Sequence, residues 1–232
     1  MSYSDQIFIQ NCRDILDNGV WDTDYDVRPV WEDGTPAHTI KRFGIVNRYD
    51  LSKEFPVITL RRTAFKSAVD ELLWIWQKKS NNIHDLKHNP LSRRIMSNIY
   101  NHHDLHEMNL YPCAYSMTFN VSGRTLNGIL NQRSQDMLTA NSWNVCQYAI
   151  LLHMFAQVSG LMAGELVHVI ADAHIYDRHI PMVEELLKKE PYPGPTLAMD
   201  TSVTDFYQFT TSSFRLENYR YHAFEHKIPV AI

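Results

Sequence analysis

The sequence has few cysteines, no excess of either charge sign and no long apolar run. Among its 232 residues are three cysteines, Cys12, Cys113 and Cys146. So sparse and odd a set suits neither a disulfide framework nor a cysteine zinc site, which favours a reducing, cytoplasmic setting. The first residues lack the positive start and apolar stretch of a secretory signal peptide. The apolar runs are also far shorter than the roughly 20 residues that span a bilayer.

The charge balance excludes further classes of protein. The chain has 22 Lys and Arg against 26 Asp and Glu, a net charge of -4. With no field of one sign, we expect neither dedicated nucleic-acid binding nor membrane binding. The signatures GxGxxG, GxxxxGK[ST] and GxSxG are absent, which removes the usual signals of dinucleotide, P-loop and hydrolase chemistry. Without repeats or linkers, residues 1–232 are expected to form one domain.

Hydrophobic periodicity predicts helices and strands in irregular order. Phe65, Val69, Leu72 and Trp76 recur at helical spacing, whereas residues 115–121 alternate between apolar and polar side chains. Ser122-Gly123 is typical of a hairpin turn, and Asn141-Ser142 could cap a helix. The pattern indicates helices at 6–19, 63–79, 143–159 and from Pro181, and strands at 40–48, 55–60, 115–121, 124–130 and 166–171. This succession favours an α+β fold.

The best candidate for a nucleophile is Cys113, which directly precedes the clearest predicted strand. A cysteine there can equally be a small buried apolar residue. The nucleophilic interpretation needs a thiolate, and hence positive charge nearby. Arg133 follows the predicted hairpin, and Arg93-Arg94 follows an Asn-Pro turn. Such arginines are commonly solvated or salt-bridged, yet arginines from several loops could also converge on a phosphate.

Two further features allow both a structural and a functional interpretation. His174 and Tyr176 lie two residues apart after an apolar strand, so in an extended chain they share a face. They could bind a sugar hydroxyl or simply pair with each other. Glu71 has apolar neighbours on its helix, so we expect it to be shielded from solvent, although a surface ion pair with Lys66 or Lys78 is the alternative. No cysteine or HExxH spacing supports zinc at the histidines, so no metal is expected.

Seven ordered blocks carry a resemblance to a known family. They are Asp70-Glu-Leu-Leu-Trp-Ile-Trp76, Ser92-Arg-Arg-Ile95, Pro112-Cys113, Gln132-Arg-Ser-Gln-Asp136, Trp143-Asn144, Asp172-Ala-His-Ile-Tyr176 and Pro229-Val-Ala-Ile232. In this order they resemble the thymidylate synthase and pyrimidine hydroxymethylase family over nearly the whole chain. The resemblance implies a large mixed β-sheet packed by helices, in a sheet-to-sheet homodimer. It also implies methylation of dUMP to dTMP, with 5,10-methylenetetrahydrofolate as both carbon donor and reductant.

The resemblance assigns a role to each matching position. Cys113 would add to C6 of the pyrimidine, and Glu71 would relay protons between the base and the folate. Asn144 would read uracil, whereas an aspartate there would favour cytosine. The phosphate would be bound by Ser134, Arg133 and Arg28, the last by a looser match, and by Arg93 and Arg94 of the partner subunit. The remaining assignments are His174 and Tyr176 to the deoxyribose, and Asp136, Glu71 and Ala231 to the folate.

The chain departs from the family where Leu86 meets Lys87. Family members carry several dozen more residues there, including tryptophans that line the folate pocket. Ala114 also follows the predicted nucleophile where many members have histidine. A lost folate wall would let water reach the intermediate and divert the product to a hydroxymethyl nucleotide. The alternatives are therefore a deoxyuridylate hydroxymethylase (less favoured, a deoxycytidylate one) or an impaired nucleotide-binding homodimer.

Overall fold

A six-stranded mixed sheet organises the chain in the computed structural model, which describes residues 1–78, 92, 95–100, 106 and 111–231. The sheet order is β1-β2-β6-β5-β4-β3, with β5 and β6 parallel and the other neighbours antiparallel. Its strands are β1 (Val20–Trp21), β2 (Thr39–Asp50), β3 (Met96–Asn98), β4 (Ala114–Ser122), β5 (Thr125–Asp136) and β6 (Met162–Tyr176). A separate ribbon pairs β7 (Thr196–Met199) with β8 (Phe214–Glu217). The predicted α+β class with a large mixed sheet is confirmed.

Four α-helices accompany the sheet in the described part of the chain. They are α1 (Tyr3–Asn18), α2 (Phe65–Lys78), α3 (Asn141–Val158) and α4 (Ile180–Leu186). The predicted core positions of α2, Val69, Leu72 and Trp76, are buried in an apolar cluster with α3. No helix among the described residues is long and apolar enough to cross a membrane.

The strand predicted at residues 55–60 is wrong. Its apolar side chains are buried as expected, including Phe55 and Leu60, but the segment pairs with no strand among the described residues. Two of its N–H groups donate to side-chain oxygens instead: the Asp5 carboxylate accepts from Thr59 at 2.8 Å, and the Ser142 hydroxyl accepts from Ile58 at 3.3 Å. Side chains distant in sequence thus satisfy donors that a neighbouring strand would otherwise take.

The predicted cap of α3 is also wrong. The N-cap residue is Ala140, which makes no side-chain cap hydrogen bond, and Asn141 and Ser142 already belong to the helix. The Ser142 hydroxyl lies 2.8 Å from that of Thr63. The local pattern assigned the Ser142 side chain to helix capping, but this side chain contacts Thr63 instead.

The buried faces of three adjacent strands reverse at one level of the sheet. In β6 the fully buried side chains are even-numbered from Leu166 to Ile170, whereas beyond Asp172 they are Ala173 and Ile175, with His174 between them 8% exposed. In β5 the same change falls between Gln132 and Gln135. Ile170 and Asp172 lie on either side of the change in β6. Ile170 pairs with Gln132 of β5 and with Ile45 of β2. Asp172 pairs with Ser134 of β5 and with Phe43 of β2. In β2, Gly44 lies between those two residues with a φ of 75°, a left-handed conformation that favours glycine. Beyond the reversal, Ala173 and Ile175 pack into a second buried apolar cluster, and the residues between and after them, His174 and Tyr176, line a cleft.

Candidate active site

The reversed ends of β5 and β6 form one wall of a cleft of about 610 Å³. Eight of the predicted site residues line it: Arg28, Cys113, Arg133, Ser134, Asp136, His174, Tyr176 and Ala231. Six other residues complete the lining: Tyr111, Thr139, Ala140, His179, Pro229 and Val230. Residues far apart in sequence thus meet at one place, with a thiol, two guanidinium groups, a carboxylate and two imidazoles around it.

Cys113 and Arg133 are held together by the backbone. Cys113 directly precedes β4, is partly buried and is a free cysteine. The backbone N–H of Arg133 donates to its carbonyl at 2.9 Å. The Arg133 guanidinium donates to the carbonyls of Tyr111 at 2.7 Å and Pro112 at 3.1 Å. The arginine therefore fixes the segment that carries the thiol and brings positive charge to it. The remaining N–H groups of the guanidinium take no part in these two hydrogen bonds.

His174 and Tyr176 share one face of β6, as the spacing predicts, and their rings meet edge to face at 5.3 Å. The Asp172 carboxylate lies 2.8 Å from Nδ1 of His174, which fixes the imidazole. Burial and the negative charges of Asp136 and Asp172 raise the pKa of the Tyr176 phenol. The phenol is therefore protonated at neutral pH, and this pair can both donate to and accept from a hydroxyl group.

Asp136 ends β5 at the cleft, and its carboxylate accepts from the backbone N–H of Leu138 at 2.8 Å and the hydroxyl of Thr139 at 2.6 Å. Burial alone would raise its pKa, but the contacts with His179 and Thr139 outweigh burial, so the pKa lies below its ordinary value. The carboxylate is therefore ionised at neutral pH and can accept hydrogen bonds from a ligand.

His179 was not predicted as a site residue, yet it joins two parts of the cleft. Its Nδ1 lies 3.6 Å from the Asp136 carboxylate, and its Nε2 lies 2.8 Å from the carbonyl of Pro229. Because a carbonyl only accepts, Nε2 carries the proton and donates it. The spacing of His179 after Tyr176 gave no signal of this role, which arises where residues 229–231 return to the sheet.

Two predicted residues lie beside the cleft rather than on it. Asn144 belongs to α3, one turn after the lining residue Ala140, and its side-chain oxygen accepts from Gln132 at 3.2 Å. Glu71 on α2 accepts from Trp143 at 2.5 Å and from Gln147 at 2.8 Å. Glu71 is exposed, so the expectation that it is shielded from solvent is wrong. Its apolar neighbours on the helix turn into the core and leave the carboxylate on the rim, where α3 holds it.

The predicted phosphate site is described in part. Arg28 lies in the loop between β1 and β2 and reaches the cleft beside Arg133. That loop is attached to the chain after β6, because Trp31 Nε1 donates to Asp177 at 3.1 Å. Arg93 and Arg94 lie outside the described residues, as does the junction of Leu86 and Lys87.

The three histidines at and after β6 have separate partners. His168 contacts Gln132, His174 contacts Asp172, and His179 contacts Pro229. Within the described ranges, no group of three or more histidine, cysteine or acidic side chains is placed to hold a metal ion.

Comparison with known proteins gives one consistent result. The thymidylate synthase family model matches residues 6–86 and 80–232. The thymidylate synthases of Bacillus subtilis subsp. natto and of Bacillus phage phi3T are both 34% identical to this chain, over 95% of it and 96% of their own length. The solved structure of thermostable thymidylate synthase A from Bacillus subtilis superposes with a TM-score of 0.93 at 32% identity, covering 100% of both chains.

The same comparisons bear on the length of the chain. The alignment with the Bacillus subtilis subsp. natto enzyme extends over 270 positions, of which 95% of these 232 residues fill only about 220. The family model matches in two pieces that meet at residues 80–86. Both findings agree with a segment that is shorter than in the relatives, next to the junction predicted from the sequence.

Proposed function

Because the chain belongs to the thymidylate synthase family, we propose that its cleft converts dUMP and 5,10-methylenetetrahydrofolate into dTMP and dihydrofolate. One observation carries the proposal: the partly buried thiol of Cys113 shares a cleft with Arg133, Ser134, His174 and Tyr176. These residues supply a nucleophile, an anion site and paired hydroxyl ligands, which are the three functions that a nucleotide substrate of this reaction requires.

Cys113 acts as the nucleophile. Its thiolate adds to C6 of the uracil ring, and the electron pair of the C5–C6 double bond moves into an enolate that makes C5 nucleophilic. C5 then takes the methylene group from the folate and loses its proton. Elimination frees the carbon from the folate, hydride from the reduced folate completes the methyl group, and the thiolate leaves C6. The Arg133 guanidinium, bonded to the carbonyls of Tyr111 and Pro112, holds the segment that carries Cys113 in place for this attack.

The walls of the cleft orient the nucleotide. Arg133, Arg28 and Ser134 bind the phosphate, because a guanidinium fork matches phosphate oxygens and the hydroxyl adds a donor. His174 and Tyr176 bind the deoxyribose hydroxyl, and Asn144 reads the base from the first turns of α3. Phosphate and sugar binding, remote from the reacting carbon, contribute orientation to the chemical step.

Asp136, Ala231 and Glu71 are assigned to the folate side. Asp136 and Ala231 both line the cleft, and the ionised Asp136 can accept from pterin N–H groups. Glu71, held by Trp143 and Gln147, relays protons through water between the folate and the base. The methylene group and the hydride both come from the folate, so the proposed reaction draws on no metal.

We also propose that residues 1–232 form one domain, which works as a homodimer in the cytoplasm. The face of the sheet opposite its buried face exposes Val46 at 55% and Ile129 at 43%, an apolar surface that a second copy would cover. Arg93 and Arg94 of one subunit would complete the phosphate site of the other. The three cysteines are free, in keeping with a reducing compartment.

Product analysis tests the proposal. Purified protein supplied with dUMP and methylenetetrahydrofolate is expected to form dTMP and dihydrofolate in equal amounts, and Cys113→Ser is expected to form neither. A hydroxymethyl nucleotide with tetrahydrofolate would establish the hydroxymethylase alternative, which the shorter chain favours. Tight dUMP binding without either product would establish the impaired nucleotide-binding homodimer.

A mixed dimer of Cys113→Ser with Arg93→Ala/Arg94→Ala subunits should regain one active site, and failure to do so would contradict donation across the interface.

A further inference from the structure

A chain of three polar side chains, two of them buried, runs from the sheet to the residue assigned to base recognition. Gln132 on β5 is 2% exposed and His168 on β6 is fully buried. Nε2 of His168 lies 2.8 Å from Oε1 of Gln132, and Nε2 of Gln132 lies 3.2 Å from Oδ1 of Asn144. These contacts link the core of the sheet to α3.

The direction of every hydrogen bond in this chain follows from one backbone carbonyl. The side-chain nitrogen of Gln132 donates to the carbonyl of Ser134 at 2.8 Å, and a carbonyl only accepts. This bond identifies the nitrogen and oxygen of the Gln132 amide, so its nitrogen also faces Asn144 and its oxygen faces His168. His168 must then donate from Nε2, and Asn144 must present its oxygen to Gln132.

His168 is suited to this role because it is an uncharged donor in an apolar setting. Burial lowers its pKa to about 3, so the ring is neutral at neutral pH with one N–H group. Its other nitrogen, Nδ1, has no hydrogen-bond partner among the described residues, nor has the side-chain nitrogen of Asn47. Asn47 is the residue that pairs with His168 across β2 and β6, so a donor and an acceptor lie side by side at this register position.

The orientation of the Asn144 amide decides which base it can read. Uracil offers an accepting O4 and a donating N3–H group, whereas cytosine offers a donating amino group and an accepting N3. With its oxygen held beside Gln132, Asn144 has its nitrogen available to donate to O4. Reading cytosine requires the amide to turn over, which would set its nitrogen against the nitrogen of Gln132, donor against donor.

We propose that His168 is a positioning residue that acts through Gln132 to hold Asn144 in the orientation that selects uracil over cytosine. The inference rests on the proposed function, since it takes Asn144 as the base-reading residue. It adds a residue that touches neither substrate nor folate, and it explains why a histidine is buried at the centre of the sheet. Without the N–H of His168, the Gln132 amide can turn over, and the Asn144 amide can then turn over as well.

Nucleotide binding by four proteins tests the relay. Dissociation constants for dUMP and dCMP are measured by calorimetry on wild type, His168→Phe, His168→Gln and His153→Phe. One buried hydrogen bond contributes about 1 kcal/mol, so His168→Phe should reduce the preference for dUMP by about 3- to 10-fold. His168→Gln retains an N–H donor and should recover most of the preference. His153 lies on α3, packs near Phe55 and is outside the relay, so its variant should keep the wild-type ratio.

The proposal fails if His168→Phe and wild type prefer dUMP equally, or if His168→Gln loses as much preference as His168→Phe. A second measurement does not depend on activity or on the folding of a variant: ¹⁵N spectra of the histidines in the wild type. A neutral ring with its proton on Nε2 is expected for His168, and a proton on Nδ1 would overturn the relay. Failure of the proposed function looks different, because wild type would then form no dTMP or would bind neither nucleotide.

Discussion

The cleft has two walls that are built in different ways. The sheet wall consists of the ends of β5 and β6, which carry Arg133, Ser134 and His174 on adjacent strands whose parallel pairing keeps one register from Gly128 to Asp136. The chain-end wall, residues 229–231, has no regular secondary structure, and His179 joins it to the sheet through the carbonyl of Pro229. The sheet wall is held in place by the pairing of its strands, whereas the chain-end wall is held to the sheet by the hydrogen bond from His179. On the proposed assignment, the preformed sheet wall binds the nucleotide and carries Asp136 for the folate. The chain-end wall adds Ala231 to the folate side and can be altered without disturbing the sheet.

The largest effect is expected at Cys113, the proposed nucleophile, which lies beside the sheet wall directly before β4. Cys113→Ser should lower turnover by at least about 10³-fold, because a serine hydroxyl at neutral pH is a far weaker nucleophile than a thiolate. Binding of dUMP should remain, since the wall itself is intact. Steady-state kinetics and calorimetry measure the two properties. Cys12→Ser, at a buried cysteine whose pKa is raised by burial, is the control and should stay active per folded molecule.

Arg133→Ala should affect dUMP binding next most strongly. The guanidinium donates to two carbonyls beside Cys113 and is the proposed charged ligand of the phosphate. Hydrogen bonds to a charged group contribute about 1.5–3 kcal/mol, so the dissociation constant for dUMP should rise by roughly 10²-fold. Arg133→Lys keeps the positive charge but loses the paired N–H donors of the guanidinium. Its dissociation constant for dUMP should lie between those of wild type and Arg133→Ala. An unchanged constant in Arg133→Ala would remove the arginine from the phosphate site.

Acid should weaken the sheet wall through His168. The pKa of His168 in the folded protein is about 3, below the ordinary value of about 6.5. Between these values the unfolded chain binds a proton that the folded chain does not, so the free energy of unfolding falls as pH falls. The expected contribution is at most about 1.4 kcal/mol per pH unit. Denaturant unfolding across this range should be less steep in pH for His168→Phe than for wild type, and an identical slope would show that His168 is protonated when folded.

The smallest effect is expected at the chain-end wall. His179→Phe removes the donor to Pro229 but keeps a ring against Trp31 and Tyr176, whose ring centroids lie 5.7 and 5.4 Å from that of His179. Losing the hydrogen bond to Pro229 together with the contact to Asp136 should raise the KM for folate by about 3- to 10-fold. The dissociation constant for dUMP should not change. If the variant lost dUMP affinity and folate affinity equally, the two walls would be one unit and the contrast between them would be wrong.

Local patterns in the sequence predicted much of the fold and several of the residues that line the cleft. Periodicity located α2 and β4, and Cys113, Arg133, His174 and Tyr176 do meet. The missed features depend on partners distant in sequence. Asp5 and Ser142 accept the N–H groups of the segment that was predicted as a strand.

The residues that support the site were missed for the same reason. Gln132 and His168 are 36 residues apart, and their contact follows only from the parallel register of β5 and β6. His179 gains its role from a carbonyl 50 residues away. Residue type and spacing indicate chemistry, but the second layer of a site is set by which strands are neighbours.

The shared reversal in β2, β5 and β6 has a consequence for how such chains can diverge. Lengthening or shortening one of these strands near Gly44 would shift its register against two partners at once and turn its site residues into the core. Only matched changes in all three strands would be tolerated. The central sheet should therefore be inherited as a block, while insertions and deletions accumulate in the connections outside it.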